Sequence, residues 1–331
     1  MNHSTFKSFT FGIGLFFTLP LVYGNSSSPS SSDGTLYINK SKTHKVAPVK
    51  YGFHYEEIGM MGEGALHAEL IRNRSFEEAT PPAGLSVKNG LYENVPAPRV
   101  KEKKVFQADP LIGWTTYPLS YTPVFISRTD ENPMSGENKY SLLVNVTEDI
   151  ANHPDALILN RGYYGMNLKT DMSYRLSLFL KNRNYSAPLR VFLVDEWGQR
   201  VSNVIEVNVG NRDWTKYTGE LKPEKNVRRG MFAIQLMSKG QFQIDVVSLF
   251  PSDTWNDGKS VFRKDIVQNL KEFSPSFIRF PGGCIVHGVN EETMYHWKKT
   301  LGPIENRPGQ WSKWAPYYRT DGIGYHEFYE L

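Results

Sequence analysis

The apolar residues between about 99 and 252 alternate with a period of two, and this limits the possible folds more than any other feature of the chain. Tyr174, Leu176, Leu178 and Leu180 fall on one face of an extended segment, as do Leu189, Val191 and Leu193. Ile205, Val207 and Val209 repeat the pattern, and Phe242, Ile244, Val246, Ser248 and Phe250 carry it to Pro251. Successive side chains of a strand point to opposite faces, so such alternation marks half-buried strands. Glu196-Trp197-Gly198-Gln199 and Gly210-Asn211 are turn signals between the runs. Short strands punctuated in this way predict an antiparallel β-sandwich, and about 150 residues suffice for an independent module.

On either side the pattern changes. Tyr51 to Ile58 reads as a strand and Gly59 to Gly64 as a Gly-rich turn. A helix is expected from about Ala65 to Arg74, with Leu66, Leu70 and Ile71 on one face. Pro81-Pro82, Gly84, Pro96 and Pro98 break any regular element between this helix and the alternating region. After Pro251, Ser260 can cap a helix running to Phe273, with Phe262, Ile266, Leu270 and Phe273 on its core face. Pro275 ends that helix, and the apolar run Phe277 to Phe280 predicts a buried strand stopped by Pro281. The expected architecture is a β/α domain interrupted after its first unit by a β-sandwich, in the order 46–98, 99–252 and 253–331.

The 331 residues are 40% hydrophobic and 22% charged, as in an ordinary globular protein of one or two domains. Net charge is +4, but Lys and Arg are scattered along the chain rather than concentrated, which sets nucleic-acid binding aside. Near the N-terminus, Lys7 precedes an apolar stretch from Phe9 to Tyr23 that ends at Val22-Tyr23-Gly24. It is short for a membrane span and predicts a secretory signal over 1–24, the other reading being a buried N-terminal helix. No later segment reaches transmembrane length, so an exported protein without a membrane partner is expected. Residues 25–45 read as a Ser-rich linker. Asn25, Asn39, Asn73, Asn145 and Asn184 each head a sequon and are candidate glycan acceptors. The single cysteine, Cys284, excludes an intrachain disulfide and reads first as a small buried apolar residue. No cofactor and no metal are expected.

Both β/α segments place polar groups just past a strand, where parallel α/β folds build their sites. In the first these are Glu56 and Glu57. Adjacent strand residues face opposite ways, so one carboxylate turns inward and needs a partner or a ligand. A solvated strand end accounts for the pair equally well. The second segment reads Phe277-Ile278-Arg279-Phe280-Pro281-Gly282-Gly283-Cys284-Ile285-Val286-His287-Gly288. Gly282 and Gly283 let the backbone turn sharply and approach another group closely. Arg279, inside a buried strand, would need a partner for its charge. A tight turn with a structural ion pair explains this segment as well as a site does. Trp297, Trp311, Trp314, Tyr317 and Tyr318 lie between Met294 and Asp321. Such aromatics suit sugar rings, although loop packing accounts for any one of them.

These residues carry a resemblance. Tyr51-Gly52-x-x-Tyr55-Glu56-Glu57-Ile58, followed by Ala68-Glu69-Leu70-Ile71-x-Asn73-Arg74-x-Phe76-Glu77, resembles the opening of glycoside hydrolase family 51. These are the α-L-arabinofuranosidases in their plant-like and bacterial secreted form. A second group of blocks is similar in order and spacing: Arg279 to Cys284, Trp297-Lys298, Gly302-Pro303, Arg307-Pro308-Gly309 and Asp321-Gly322-x-Gly324-Tyr325-x-Glu327-Phe328. Between them the alternating region sits where such relatives carry a carbohydrate-binding-like module, ending in Asp245-x-Val247-Ser248-Leu249-Phe250-Pro251. The resemblance spans roughly residues 46–331.

It implies a fold of α/β plus β, in which the first two units of a (β/α)8 TIM barrel are interrupted by a jelly-roll, galactose-binding-like sandwich. It implies retaining removal of terminal arabinofuranose from arabinan and arabinoxylan, a step of L-arabinose metabolism. By the same resemblance Glu56 hydrogen-bonds sugar hydroxyls, Arg279 organises charge in the site floor, and Cys284 lies beside the sugar. His287 stands where relatives usually carry Glu, which exchanges a fixed negative charge for a group that titrates near neutrality.

A retaining glycosidase needs two carboxylates about 5–5.5 Å apart. The resemblance places them on later barrel strands, with the acid/base in an Asn-Glu pair. Asn290-Glu291 follows the second strand and does not fit that place. Residues 46–95 and 254–331 supply about half of the roughly 250 residues of a (β/α)8 domain. The expectation is therefore a piece of an arabinofuranosidase, inactive alone, whose partner is an arabinose-containing polysaccharide or oligosaccharide. Two other readings stay open at this point. One is a non-catalytic secreted protein that binds carbohydrate through its sandwich. The other is an unstable product, since an open half-barrel exposes strand edges and apolar helix faces.

Overall fold

The alternating runs form two antiparallel sheets. The computed structural model describes residues 41, 45, 49, 51–80, 91–93, 105–107, 109–118, 123–150, 153, 155–288, 291, 294–311 and 318–331. The expected signal segment and nearly all of the linker, with Asn25 and Asn39, lie outside these residues, as do Trp314 and Tyr317. The chain divides into Met1–Ala47 and Pro48–Leu331, and the described fold is that of the second unit. It is mixed α/β and mostly sheet.

In spatial order the first sheet holds Ile205–Asn208, Pro188–Val194, Val227–Gln235, Leu157–Asn160 and Trp114–Tyr117, with Met166–Leu168 paired to Val227–Gln235. The second holds Thr215–Leu221, Tyr174–Asn182, Gly240–Pro251, Ser141–Val146 and Val124–Thr129. Leu176, Leu178, Leu180 and Phe242 of the second sheet share one buried apolar cluster with Ile158, Val191, Leu193 and Phe232 of the first. Leu157, Leu159, Phe192, Met231 and Ala233 form another cluster on the opposite face of the first sheet. Leu157–Asn160 is therefore buried on both faces and shows no alternation in its sequence.

The helix expected over 65–74 does not form. A single turn spans Gly62–Leu66, broken by Glu63 at ψ 120° and Gly64 at φ 76°. The chain then runs irregularly, and its apolar residues serve two cores. Leu66 packs with Phe262, Val267, Ile323 and Phe328, whereas Ile71 enters the core between the sheets. One helix face could supply only one of these.

The backbone of this segment is instead bonded to its neighbours. The Ala68 N–H donates to the Val261 carbonyl at 2.8 Å and the Leu70 N–H to that of Leu249 at 3.0 Å. The Arg263 N–H donates back to the Leu66 carbonyl at 3.0 Å. Strand Gly240–Pro251 bulges between Asp245 and Ser248, with Val246 at φ 41°. There the Val247 N–H reaches the carbonyl of Arg74 at 2.9 Å. An extra residue at a bulge turns strand groups toward a partner outside the ladder, and here the partner is this segment.

The next helix spans Lys264–Glu272, three residues after the start that a cap at Ser260 suggests. The Ser260 hydroxyl accepts from the Phe262 N–H at 3.3 Å and leaves the helix end uncapped. Val267 is buried, but Phe273 is 63% exposed and lies edge-on to Phe53 rather than in the core. Strand Ile278–Arg279 then pairs in parallel with Phe53–His54. It is not the buried strand that its apolar run suggests, because Phe277 and Arg279 are exposed. Among the described residues no helix is long and apolar enough to cross a membrane.

Phe242 is fully buried and its ring lies 4.9 Å from that of Tyr185. Phe242→Ala is expected to lower the unfolding free energy by about 3–5 kcal/mol. Urea titration checks this, and a loss below about 1 kcal/mol would contradict a core shared by the two sheets.

Candidate functional site

The parallel pair brings two chain ends to one place. The Phe53 N–H donates to the Phe277 carbonyl at 3.0 Å and the Tyr55 N–H to that of Arg279 at 2.8 Å. Parallel strands release their following residues at the same end, so Glu56 and Glu57 lie beside Pro281–His287. Glu56 is half-buried, and its Oε1 accepts the Ile285 N–H at 3.1 Å. Gly282 has φ +143°, and a Cβ there would sit 2.3 Å from Cγ of Glu56. A Cβ on Gly283 would come within 3.5 Å of Glu56 Oε2. The group approached by the Gly-Gly turn is thus the Glu56 side chain.

Glu57 turns the other way. It is buried, accepting the Tyr55 hydroxyl at 2.5 Å and the Gly62 N–H at 2.8 Å. Burial, together with the charge and hydrogen bond of Glu57, pushes the Tyr55 phenol well up, so Tyr55 stays a donor. The adjacent carboxylates divide as strand alternation demands, with Glu56 on the turn side.

The other predicted site residues are placed less uniformly. Cys284 begins the short helix Cys284–His287, half-buried and next to Ile285. Arg279 is exposed and stands opposite His54 in the register. The partner that burial would demand for it is therefore not required, which corrects the reading of a buried cation. His287 is exposed, with Nδ1 2.8 Å from the Gly288 carbonyl. Among the aromatics, Trp297 is exposed and its ring lies 5.5 Å from that of Tyr325. Trp311 pairs in register with Tyr318, which is buried and donates its hydroxyl to the Pro308 carbonyl. Tyr318 is a packing residue rather than a sugar platform.

Asn73 is also misread as a glycan acceptor. It is buried, its Nδ2 donates to the Pro110 carbonyl at 3.0 Å, and its Oδ1 accepts the Glu78 N–H at 3.2 Å. A glycan needs that amide nitrogen in solvent. Asn184 is exposed and Asn145 half-buried, and each uses its side-chain oxygen to accept from Gln241.

Sequence reasoning missed a group of buried charges behind the site. Arg307 makes a two-pronged bond to Glu327, Nη2 to Oε1 at 2.7 Å and Nη1 to Oε2 at 3.1 Å. It also donates to the carbonyls of Gly302 and Asp321, each at 3.0 Å. Arg319 Nε donates to Asp321 Oδ1 at 2.6 Å. The blocks at 307–309 and 321–328 are thereby tied to each other. No local signal joins Arg307 to a carboxylate twenty positions away, whereas Arg319-x-Asp321 was readable as a close pair.

Glu63 Oε1 accepts both the Thr320 hydroxyl at 2.7 Å and the Thr320 N–H at 3.0 Å. Burial alone would raise its pKa, but His67, the Thr320 hydroxyl and Arg74 outweigh burial and bring it to about 2. His67 Nδ1 lies 3.7 Å from Glu63 Oε2, an ion-pair separation, so the Thr320 bonds are the firmer cause. Among the described residues no cluster of three or more His, Cys, Asp or Glu side chains is arranged to hold a metal.

With this geometry in view, the comparisons with known proteins are consistent with one another. Residues 269–331 match the family model of the alpha-L-arabinofuranosidase 1 domain. The chain is 29% identical over 286 residues to Alpha-L-arabinofuranosidase 1 of Arabidopsis thaliana, covering 85% of this chain and 38% of that protein. It is 27% identical to the Extracellular exo-alpha-L-arabinofuranosidase of Streptomyces chartreusis, covering 85% and 30%. An arabinose-bound MgGH51 α-L-arabinofuranosidase superposes with TM-score 0.71 at 25% identity, covering 88% of this chain and 43% of that one. The chain thus spans less than half the length of these relatives. Fold and matches define a glycoside-hydrolase-like chain. More narrowly, the chain is similar to α-L-arabinofuranosidases, among them one of glycoside hydrolase family 51, over part of those relatives' length.

Two predictions test the site. Gly282→Ala should destabilise the protein by more than about 1 kcal/mol, since both φ and the Glu56 contact oppose a Cβ. Adding Glu56→Ala should recover part of that loss in a double-mutant cycle, and strict additivity would show that Glu56 is not the obstacle. The second concerns acid. An unfolded Glu titrates near 4.5 and Glu63 in the fold at about 2, so between these values the unfolded state binds more protons. Stability contributed by Glu63 is complete above about pH 4.5 and lost as pH falls toward 2. Glu63→Gln should flatten this limb by on the order of 3 kcal/mol, read from urea midpoints across that window.

Proposed function

We propose that this chain is the N-terminal portion of a secreted, retaining α-L-arabinofuranosidase acting on terminal arabinofuranose of arabinan or arabinoxylan. The observation that carries the reading is Glu56 seated on the Gly282-Gly283 turn and bonded to the Ile285 N–H, at the shared end of two parallel strands. Three of those four residues lie inside the stretch matched by the family model. In this reading the two strands are the first two of a (β/α)8 barrel, and the two sheets are an inserted carbohydrate-binding-like sandwich. The corresponding boundaries are 46–98, 99–252 and 253–331.

Glu56 then accepts sugar hydroxyl protons, since a half-buried carboxylate fixed by a backbone N–H binds hydroxyls with little reorganisation. Exposed Arg279 contributes positive charge to the floor, and the half-buried Cys284 thiol borders the sugar. Glu57 is held by Tyr55 and Gly62 and serves the strand end rather than the chemistry. The acid/base and the nucleophile come from residues other than these. Asn184, exposed, and Asn145 carry glycans acquired during export.

A chromogenic α-L-arabinofuranoside tests the assignment. The 331-residue chain should release no product, and turnover by it would overturn the placement of the carboxylate pair elsewhere. In the full-length gene product, Glu56→Ala should lower kcat/KM at least tenfold, about 1.4 kcal/mol of transition-state binding. An unchanged value would remove Glu56 from the site.

A further inference from the structure

The face of the first sheet turned away from the shared core carries an aligned row of side chains. Glu206, Arg190, Gln235, Leu157 and Tyr117 are paired in register across five neighbouring strands, and register partners project to the same side. At about 4.8 Å per strand the row is about 19 Å long. Beside it lies a groove of about 600 Å³ whose floor includes buried Leu157 and Phe192. At the Tyr117 end stands Trp197, 68% exposed.

An indole so exposed normally costs hydrophobic stabilisation, yet here the turn that carries it is tightly built. The buried Asp195 carboxylate accepts the N–H groups of Trp197 at 3.1 Å and Gln199 at 2.9 Å. Lys225 Nζ donates to Asp195 Oδ2 at 3.0 Å, and the Tyr117 hydroxyl meets the Trp197 carbonyl at 3.5 Å. Preorganisation of this kind reduces the entropy that a ligand must remove on binding. The two arginines beside the groove are paired, Arg190 with Glu206 at 3.6 Å and Arg200 with Glu224 at 3.5 Å, and Asp155 adds a negative charge to its lining, so the groove does not select an anion.

We infer that this face binds a neutral polysaccharide strand laid along the row, with one sugar stacked on Trp197 and neighbouring hydroxyls bonded to Gln235 and Arg190. An apolar floor, an exposed ring and a few planar polar groups suit the two-faced chemistry of a sugar, with C–H surfaces and hydroxyl edges. The inference gives residues to the binding role of the sheets and needs no catalytic step, so it survives failure of the hydrolase reading.

Affinity electrophoresis of the 331-residue chain in gels containing soluble arabinoxylan, debranched arabinan or polygalacturonate tests it. Retardation by at least one neutral polymer is expected. Trp197→Ala should raise the apparent Kd at least tenfold and Gln235→Ala severalfold, whereas Tyr164→Ala, at an exposed residue outside the groove, should change nothing. Circular dichroism confirms that the variants fold, and Gln235→Ala decides the matter should Trp197→Ala not fold. Retardation by no neutral polymer, retardation by polygalacturonate alone, or undiminished binding of the folded groove variants overturns the inference. Turnover of an arabinofuranoside is a separate readout and bears only on the hydrolase.

Discussion

The Glu69 carboxylate holds the most consequential contact of the fold. It is buried, and its Oε1 accepts two backbone N–H groups, Leu249 at 2.8 Å and Ile71 at 3.0 Å. These bonds fasten an irregular segment to the bulged strand of the second sheet. Without Glu69 both N–H groups would lack this acceptor in a dry environment, at about 1–3 kcal/mol each. Burial raises the carboxyl's pKa, while Arg74 and His67 nearby oppose that shift. Arg74 is itself buried, and its Nη2 reaches the Thr320 carbonyl at 3.5 Å. A short stretch of chain thus links the sheets to residues near the C-terminal end of the described fold.

The site inherits its geometry from that linkage. The parallel strands are only two residues each, too short to fix their own register. The bonds between Ala68 and Val261 and between Arg263 and Leu66 join the segments that precede and follow the two sheets, whose short strands pair. Once they meet, Gly282 and Gly283 receive Glu56. The deeper acids are each engaged elsewhere, Glu57 by Tyr55, Glu63 by Thr320 and Asp321 by Arg319. This leaves Glu56 as the carboxylate on the turn side.

Much of the sheet region was legible, and the reason is its period. Tyr174–Asn182 and Pro188–Val194 each keep one face in the shared core, so their patterns survive in the sequence. Leu157–Asn160 was not legible because it is buried on both sides. The helix over 65–74 was wrongly expected because Leu66, Leu70 and Ile71 have helical spacing, although Leu66 and Ile71 enter different cores. Gly282-Gly283 announced a close approach without naming its object, since Glu56 lies more than two hundred residues away in the chain. Arg279 and Asn73 were misjudged for one shared reason, that exposure is set by what folds over a residue and not by its neighbours in sequence.

Local patterning was therefore sufficient for strand faces, turn positions and the resemblance to arabinofuranosidases, because each depends on residues within a few positions or on ordered blocks. Folding assigned the rest. It chose Glu56 over Glu57 for the turn, joined Arg307 to Glu327, buried Asn73 and aligned Tyr117, Gln235 and Arg190 across neighbouring strands. All of these are contacts between distant parts of the chain, and they exist only after the two sheets and the segments on either side of them have packed.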